Sequence, residues 1–244
     1  MLPLLLGLAA ALGEVFGGLL IVRRHWQRRY LQYFIALGAG FLLGAVFLEM
    51  IPQALRLAGD STFYYVLGGY LLVHLAEHTL SSHFHFGEEV HEDPSGHRRR
   101  SIAVVAGLMI HAFFDGIAIA GGFLASQWLG LVLFTAIFLH KIPEGFTVAS
   151  VMVAAGRGPR AALIAAGLLG ISTVSGVSLM LLFSAQVGIG LPLAAGVCIY
   201  VAASDLIPEI NQQPGIRFAL VVFVGVALLV ALSVLSSIPS AFRR

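Results

Sequence analysis

Two histidine–carboxylate pairs carry the chemistry in this sequence, His111 with Asp115 and His140 with Glu144. Residues four apart on a helix share a face about one turn from each other, so each pair presents an imidazole beside a carboxylate. Each helix then offers half of a ligand set. Facing one another, the halves supply two nitrogens and at least two oxygens, which suits Zn²⁺ in tetrahedral geometry and also accepts Fe²⁺, Mn²⁺ or Cd²⁺. Oxygen-only selection of Ca²⁺ or Mg²⁺ is disfavoured. Lys141, the one lysine in the chain, follows His140 at about 100° round the helix. There its ammonium can stand beside the carboxylates and lower their mutual repulsion; a lysine snorkelling toward the headgroups is the alternative. Pro143 cannot bond the carbonyl of Leu139, so a kink or loosening beside His140 is expected. Gly116 and Gly145 each directly follow a carboxylate and let the two backbones approach closely.

The elements that must hold these residues are membrane helices. Apolar residues make up 59% of the 244 and charged residues 11%, against roughly 45–50% and about 25% in soluble domains. Such a chain cannot clothe itself in polar surface. Apolar runs of about 20 residues recur from end to end, each long enough to cross a hydrocarbon core as a helix. The expected fold is all-α, a single transmembrane domain over residues 1–244 with eight spans near 2–22, 33–53, 62–82, 101–122, 128–153, 160–184, 188–209 and 215–238. A lone cysteine, Cys198, excludes a disulfide framework or a cysteine metal cage. The first span lacks a basic leader region and is followed by Arg23, Arg24, Arg28 and Arg29, so it reads as a retained helix ending in the cytoplasm. Arg98, Arg99, Arg100, Arg157, Arg160 and Arg217 then also fall inside, against Arg56, Arg243 and Arg244 outside. That imbalance predicts a multi-pass protein of the cell (inner) membrane with both termini extracytoplasmic.

Ionisable residues at the centre of a span cost at least about 2.5–3.5 kcal/mol each on insertion scales, so the fourth and fifth helices cannot face lipid with theirs. The bland reading is interhelical hydrogen bonding, worth about 0.6–2 kcal/mol a pair. Mirrored placement argues for more than that. His111-AFF-Asp115-Gly116 echoes His140-KIP-Glu144-Gly145, and Gly40-FLLGAVFL-Glu49-MI-Pro52 echoes Gly196-VCIYVAAS-Asp205-LI-Pro208. In both cases the two helices run in opposite directions, as in the inverted repeats of secondary transporters. His74, His78, Glu77 and Glu14 have no such partner and read as packing or end-anchoring residues, although Glu77 and His78 can also line an exit. The long polar loop 83–100 carries His83, His85, His91 and His97 among Glu88, Glu89, Glu92 and Asp93. It reads either as a weak metal-holding tract or as a solvated linker.

Taken together, these motifs resemble those of the ZIP (Zrt/Irt-like) family of metal-ion transporters, whose fourth span carries a His-Asn-x-x-Asp/Glu-Gly motif and whose fifth carries a His-Glu-x-Pro-x-Glu motif. The resemblance covers nearly the whole chain, including the ending Asp205-LI-Pro208-Glu209 of the seventh span. It implies eight transmembrane helices in a 3+2+3 inverted-repeat arrangement. It also implies movement of Zn²⁺ or a similar ion toward the cytoplasm, often by a homodimer in which a helix block rocks or slides. Two departures bear on mechanism. Members with a binuclear centre have Asn, an acid and a further acid where this chain has Ala112, Lys141 and Thr173, and the second-span ligand region falls at Phe41 and Leu42, which cannot coordinate. The resemblance therefore implies one ion held by His111, Asp115, His140 and Glu144, with Lys141 as surrogate for the second metal.

On this reading the ion arrives past Glu49 and leaves past Asp205 and Glu209 toward Glu77 and His78. Protonation of the ligands would release it. The transported ion is then the chain's only cofactor-like partner besides the bilayer, with no role for nucleic acid and a possible second copy. Two rivals are a cation-diffusion exporter, which pairs His with Asp four apart on a six-span body, and a metal receptor that binds without transporting. An intramembrane metalloprotease would need His-Glu-x-x-His, which neither pair provides, so no enzyme activity is expected.

Overall fold

Apolar runs punctuated by Gly, Pro and Arg form helices, because in hydrocarbon a helix satisfies its own backbone polar groups. The computed structural model describes residues 1–22, 28–80, 94–212 and 215–237, and among these every regular element is helical. Helix α1 is Leu2–Val22, α2 Arg28–Ala45, α3 Ile51–Ala58, α4 Ser61–Leu80, α5 Pro94–Ala125, α6 Gln127–Ala154, α7 Pro159–Leu182, α8 Val187–Tyr200, α9 Ile207–Asn211 and α10 Ile216–Ser237. Seven segments among the described residues are long and apolar enough to cross a membrane: Leu2–Val22, Tyr30–Ala58, Ser101–Ala125, Gln127–Ala154, Pro159–Leu182, Ser184–Asn211 and Ile216–Ser236. Helix α4 has 20 residues, with His74, Glu77 and His78 toward its end diluting its apolar character.

Two of the rods contain a wide turn. Helix α2 passes through the π-helical segment Val46–Met50 into α3, and α8 passes through Val201–Leu206 into α9. Each π turn lies just before a proline, Pro52 or Pro208, which has no amide hydrogen and crowds the carbonyl four residues back. Adding one residue to the turn relieves that crowding. The second rod therefore carries on past its proline to Ala58, beyond the boundary near residue 53 that the sequence suggests. Glu49 and Asp205, the two acids of the repeated motif, both lie in these wide turns.

Helices α5 and α6 form a hairpin turned at Ser126, whose backbone is extended and whose Oγ accepts a hydrogen bond from the Leu129 amide (3.1 Å). His111 and His140 lie about 15 residues from Ser126 on either side, roughly 21 Å down each helix, so the turn sets their common depth. Replacing Ser126 with Ala removes this N-cap and should cost about 1 kcal/mol, seen as a small drop in the thermal unfolding midpoint in detergent.

Small residues fasten the rest. Helix α1 packs on α6 and α7, α5 on α7, α2 on α10, and α4 on α8. At the α1–α6, α5–α7, α2–α10 and α4–α8 seams a glycine lies against a carbonyl with no room for a side chain. Gly145 and Gly116 serve these outer seams and not, as the sequence suggested, the approach of α5 to α6: a Cβ on Gly145 would sit 1.9 Å from the Glu14 carbonyl oxygen of α1, and one on Gly116 would sit 2.0 Å from that of Thr173 on α7. Gly40 abuts the carbonyl of Val222, and Gly196 that of Val66, each at 1.9 Å on the same measure.

Candidate metal site

The α5–α6 hairpin brings the two histidine–carboxylate pairs to one point. One donor atom from each of His111, Asp115, His140 and Glu144 lies within 4.8 Å of the other three, and all four residues are buried. His111 Nε2 is 2.9 Å from Asp115 Oδ2 and 3.8 Å from Glu144 Oε2, and His140 Nε2 is 3.2 Å from Asp115 Oδ2. The two imidazoles meet edge to face with ring centroids 5.5 Å apart. His140 Nδ1 donates to the Ala136 carbonyl (3.1 Å), which holds the ring and turns the Nε2 lone pair toward the cluster, the usual second support of a metal-binding histidine.

Lys141 completes the cluster. Its ammonium is wholly buried and lies 2.6 Å from Glu14 Oε1, 2.7 Å from Asp115 Oδ2 and 2.7 Å from Glu144 Oε2. An ammonium has three donors, and each finds a carboxylate. The snorkelling alternative is excluded by this burial. Asp115 Oδ1, Glu144 Oε1 and His111 Nδ1 are buried without a hydrogen-bond partner. Orphaned buried acceptors are costly, and two of these are carboxylate oxygens on residues of the candidate ligand set.

Glu14 corrects the sequence reading, which took it as a packing or end-anchoring residue without a mirrored partner. Glu14 is fully buried on the small-residue face of α1, with Gly7, Ala10, Gly13, Gly17 and Gly18. It accepts from Lys141 and, at 3.4 Å, from Thr173 Oγ1 on α7. A signal was present in the sequence: Glu14-VF-Gly17 and Thr173-VS-Gly176 share their spacing. Both glycines pack on the α5–α6 hairpin, Gly17 against the Ile142 carbonyl and Gly176 against that of Phe113.

Toward Ser126, α5 and α6 carry Ile119, Leu133 and Ile137, all fully buried in the apolar core. On the opposite side a cavity of about 20 Å³ adjoins the cluster, lined by His111, His140, Pro143 and Glu144 together with Glu77, Asp205 and Glu209. Tyr200 Oη donates to Glu77 Oε2 across this region (2.9 Å). Of the pathway residues read from sequence, Glu77, Asp205 and Glu209 thus border the cluster and two do not. His78 is exposed, with Nδ1 donating to the His74 carbonyl (3.0 Å). Glu49 is bonded by the Ser233 hydroxyl of α10 and does not line the cavity. Phe41 and Leu42 are buried in the apolar core. His83, His85 and His91 lie outside the described residues, and His97 falls in the first turns of α5, where the side chains are likewise outside the description.

Comparison with known proteins points the same way. The family model described as ZIP Zinc transporter matches residues 85–233. Zinc transporter ZIP9-B of Xenopus laevis is 26% identical over 85% of this chain and 84% of its own length. Zinc transporter ZIP9 of Micropogonias undulatus is 32% identical over 59% of this chain and 49% of its own length. Zinc transporter YKE4 of Saccharomyces cerevisiae is 24% identical over 74% and 61%.

Proposed function

The chain belongs to the ZIP family of zinc transporters, and from that premise we propose that it carries one divalent cation at a time, Zn²⁺ foremost, across the membrane toward the cytoplasm. The ion sits between His111, Asp115, His140 and Glu144. The observation that carries this reading is the convergence of four buried donor atoms within 4.8 Å, with carboxylate oxygens left unpartnered beside them. Two imidazoles and two carboxylates form a ligand set that suits Zn²⁺, with Cd²⁺, Fe²⁺ and Mn²⁺ as competitors.

A single ion follows from charge. Asp115, Glu144 and Glu14 against Lys141 leave two formal negative charges in the core, which one divalent cation neutralises. On this reading the Lys141 ammonium, paired with Glu14, Asp115 and Glu144, takes the place of a second ion. Glu77, Asp205 and Glu209 form an acidic route from the site toward the cytoplasmic face, with Glu49 at the opposite mouth.

An eight-span inverted repeat supports alternating access. In the register that aligns Glu49 with Asp205 and Pro52 with Pro208, Gly40 aligns with Gly196 and their carbonyl partners Val222 and Val66 align in turn. The same exchange relates Gly145 against Glu14 to Gly116 against Thr173. Flux separates this function from that of a metal receptor. Zinc added outside vesicles that contain the purified chain should accumulate inside in a time-dependent, saturable way. Stoichiometric binding without accumulation would leave only the receptor reading.

A further inference from the structure

Glu14 stands apart from the other charged residues of the core. It comes from a helix that contributes nothing else titratable to the cluster, yet it is held there from three directions. Its backbone is locked against α6, since the Glu14 carbonyl fills the space over Gly145 and the Ile142 carbonyl fills that over Gly17. Its Oε1 accepts from Thr173 of α7 and from the Lys141 ammonium, while Oε2 is buried without a partner.

We infer that Glu14 is a positioning residue for cation binding: it draws the Lys141 ammonium to the α1 side of the seam and sets the core at two formal negative charges, the complement of one divalent ion. Lys141 without Glu14 would divide its donors between Asp115 and Glu144 alone. Those are the carboxylates the ion needs, and the core would keep one formal negative charge. With Glu14 present, a third carboxylate shares the ammonium at a distance no longer than the other two. Asp115 Oδ1 and Glu144 Oε1 then stay unbonded and available. Glu14 acts on the ion through Lys141 and through its own charge at a few ångströms, where a low dielectric makes a unit charge strongly felt. The inference rests on the four-residue site proposed above and adds the residue that balances it.

The test is zinc affinity of the purified full-length chain in detergent micelles, measured by competition with a chromophoric zinc chelator. Glu14→Gln should weaken Zn²⁺ binding by about 100-fold. The decisive variant is Glu14→Gln with Lys141→Met, which removes one charge of each sign and restores the net of two negative charges. It should bind zinc within about 10-fold of the unaltered chain. A merely structural ion pair gives the opposite pattern, with the double variant no tighter than Glu14→Gln, and that result would overturn the inference. So would wild-type affinity in Glu14→Gln itself. Where Glu14→Gln fails to give monodisperse protein, Glu14→Thr with Thr173→Glu carries the test, because it delivers the carboxylate from the other side of the same α1–α7 contact. Zinc affinity near that of the unaltered chain supports the inference, and its absence overturns it. Glu144→Gln run in parallel separates the two levels. Weakened binding there with unchanged binding in Glu14→Gln defeats the role of Glu14 alone, whereas unchanged binding in both defeats the four-residue site.

Discussion

Zinc uptake by vesicles carrying Glu144→Gln is expected to fall to the level of protein-free vesicles. The substitution keeps size and an acceptor oxygen for Lys141, which lies 2.7 Å from Glu144 Oε2, so the ammonium keeps its three partners and the fold is retained. What is lost is a charged oxygen in the ligand set and one of the two net negative charges. Second-sphere changes alone typically cost 10- to 100-fold in metal affinity; loss of an ionised ligand should cost about 100-fold or more. His140→Ala should also abolish uptake, by removing a nitrogen ligand and one of the three nitrogens gathered on Asp115 Oδ2. Uptake at the unaltered rate in either variant, with protein levels in the vesicles matched, would remove these residues from the site.

The largest expected loss of stability comes from a single methyl group. Gly145→Ala places a Cβ 1.9 Å from the Glu14 carbonyl oxygen, and backbone cannot move aside as a flexible side chain would. Helices α1 and α6 must separate, opening the seam that holds Glu14 against Lys141. Overpacking costs about 1–3 kcal/mol and sometimes more, and a backbone clash belongs at the upper end. The thermal unfolding midpoint should drop by about 10 °C, together with zinc affinity. Gly167→Ala is the control. Nothing lies within 4 Å of a Cβ there, and alanine favours a helix over glycine by about 1 kcal/mol, so stability should hold or rise. Equal behaviour of the two variants would show that the glycine seam does not govern assembly.

Much of the site was legible because it obeys local rules. His111 with Asp115 and His140 with Glu144 are set by helical period alone, whereas for Lys141 the sequence left snorkelling open and its burial decides against it. Seven of the eight expected spans were equally readable from apolar length among the described residues, and the third, at α4, falls short. Glu14 was missed because its partners, Lys141 and Thr173, lie on other helices far along the chain, and its one echo, Thr173 three residues before Gly176, is not an acid. The wide turns were missed for a different reason. Pro52 and Pro208 announce a disturbed helix, but whether the chain kinks, stops or takes in an extra residue depends on the neighbours that hold both ends. Glu49 was placed on a path by symmetry with Asp205. The symmetry of sequence does not oblige both mouths to line a cavity in one conformation, and here only Asp205 does.

The cavity beside the ligands, about 20 Å³, has room for roughly one water molecule. A hydrated divalent cation cannot slip through such a space with its shell intact. On the proposed route it would trade solvent oxygens for carboxylate oxygens of Glu144, Asp205 and Glu209, which line the cavity. Ions that surrender their hydration reluctantly, Mg²⁺ above all, would then be disfavoured even where their charge is right.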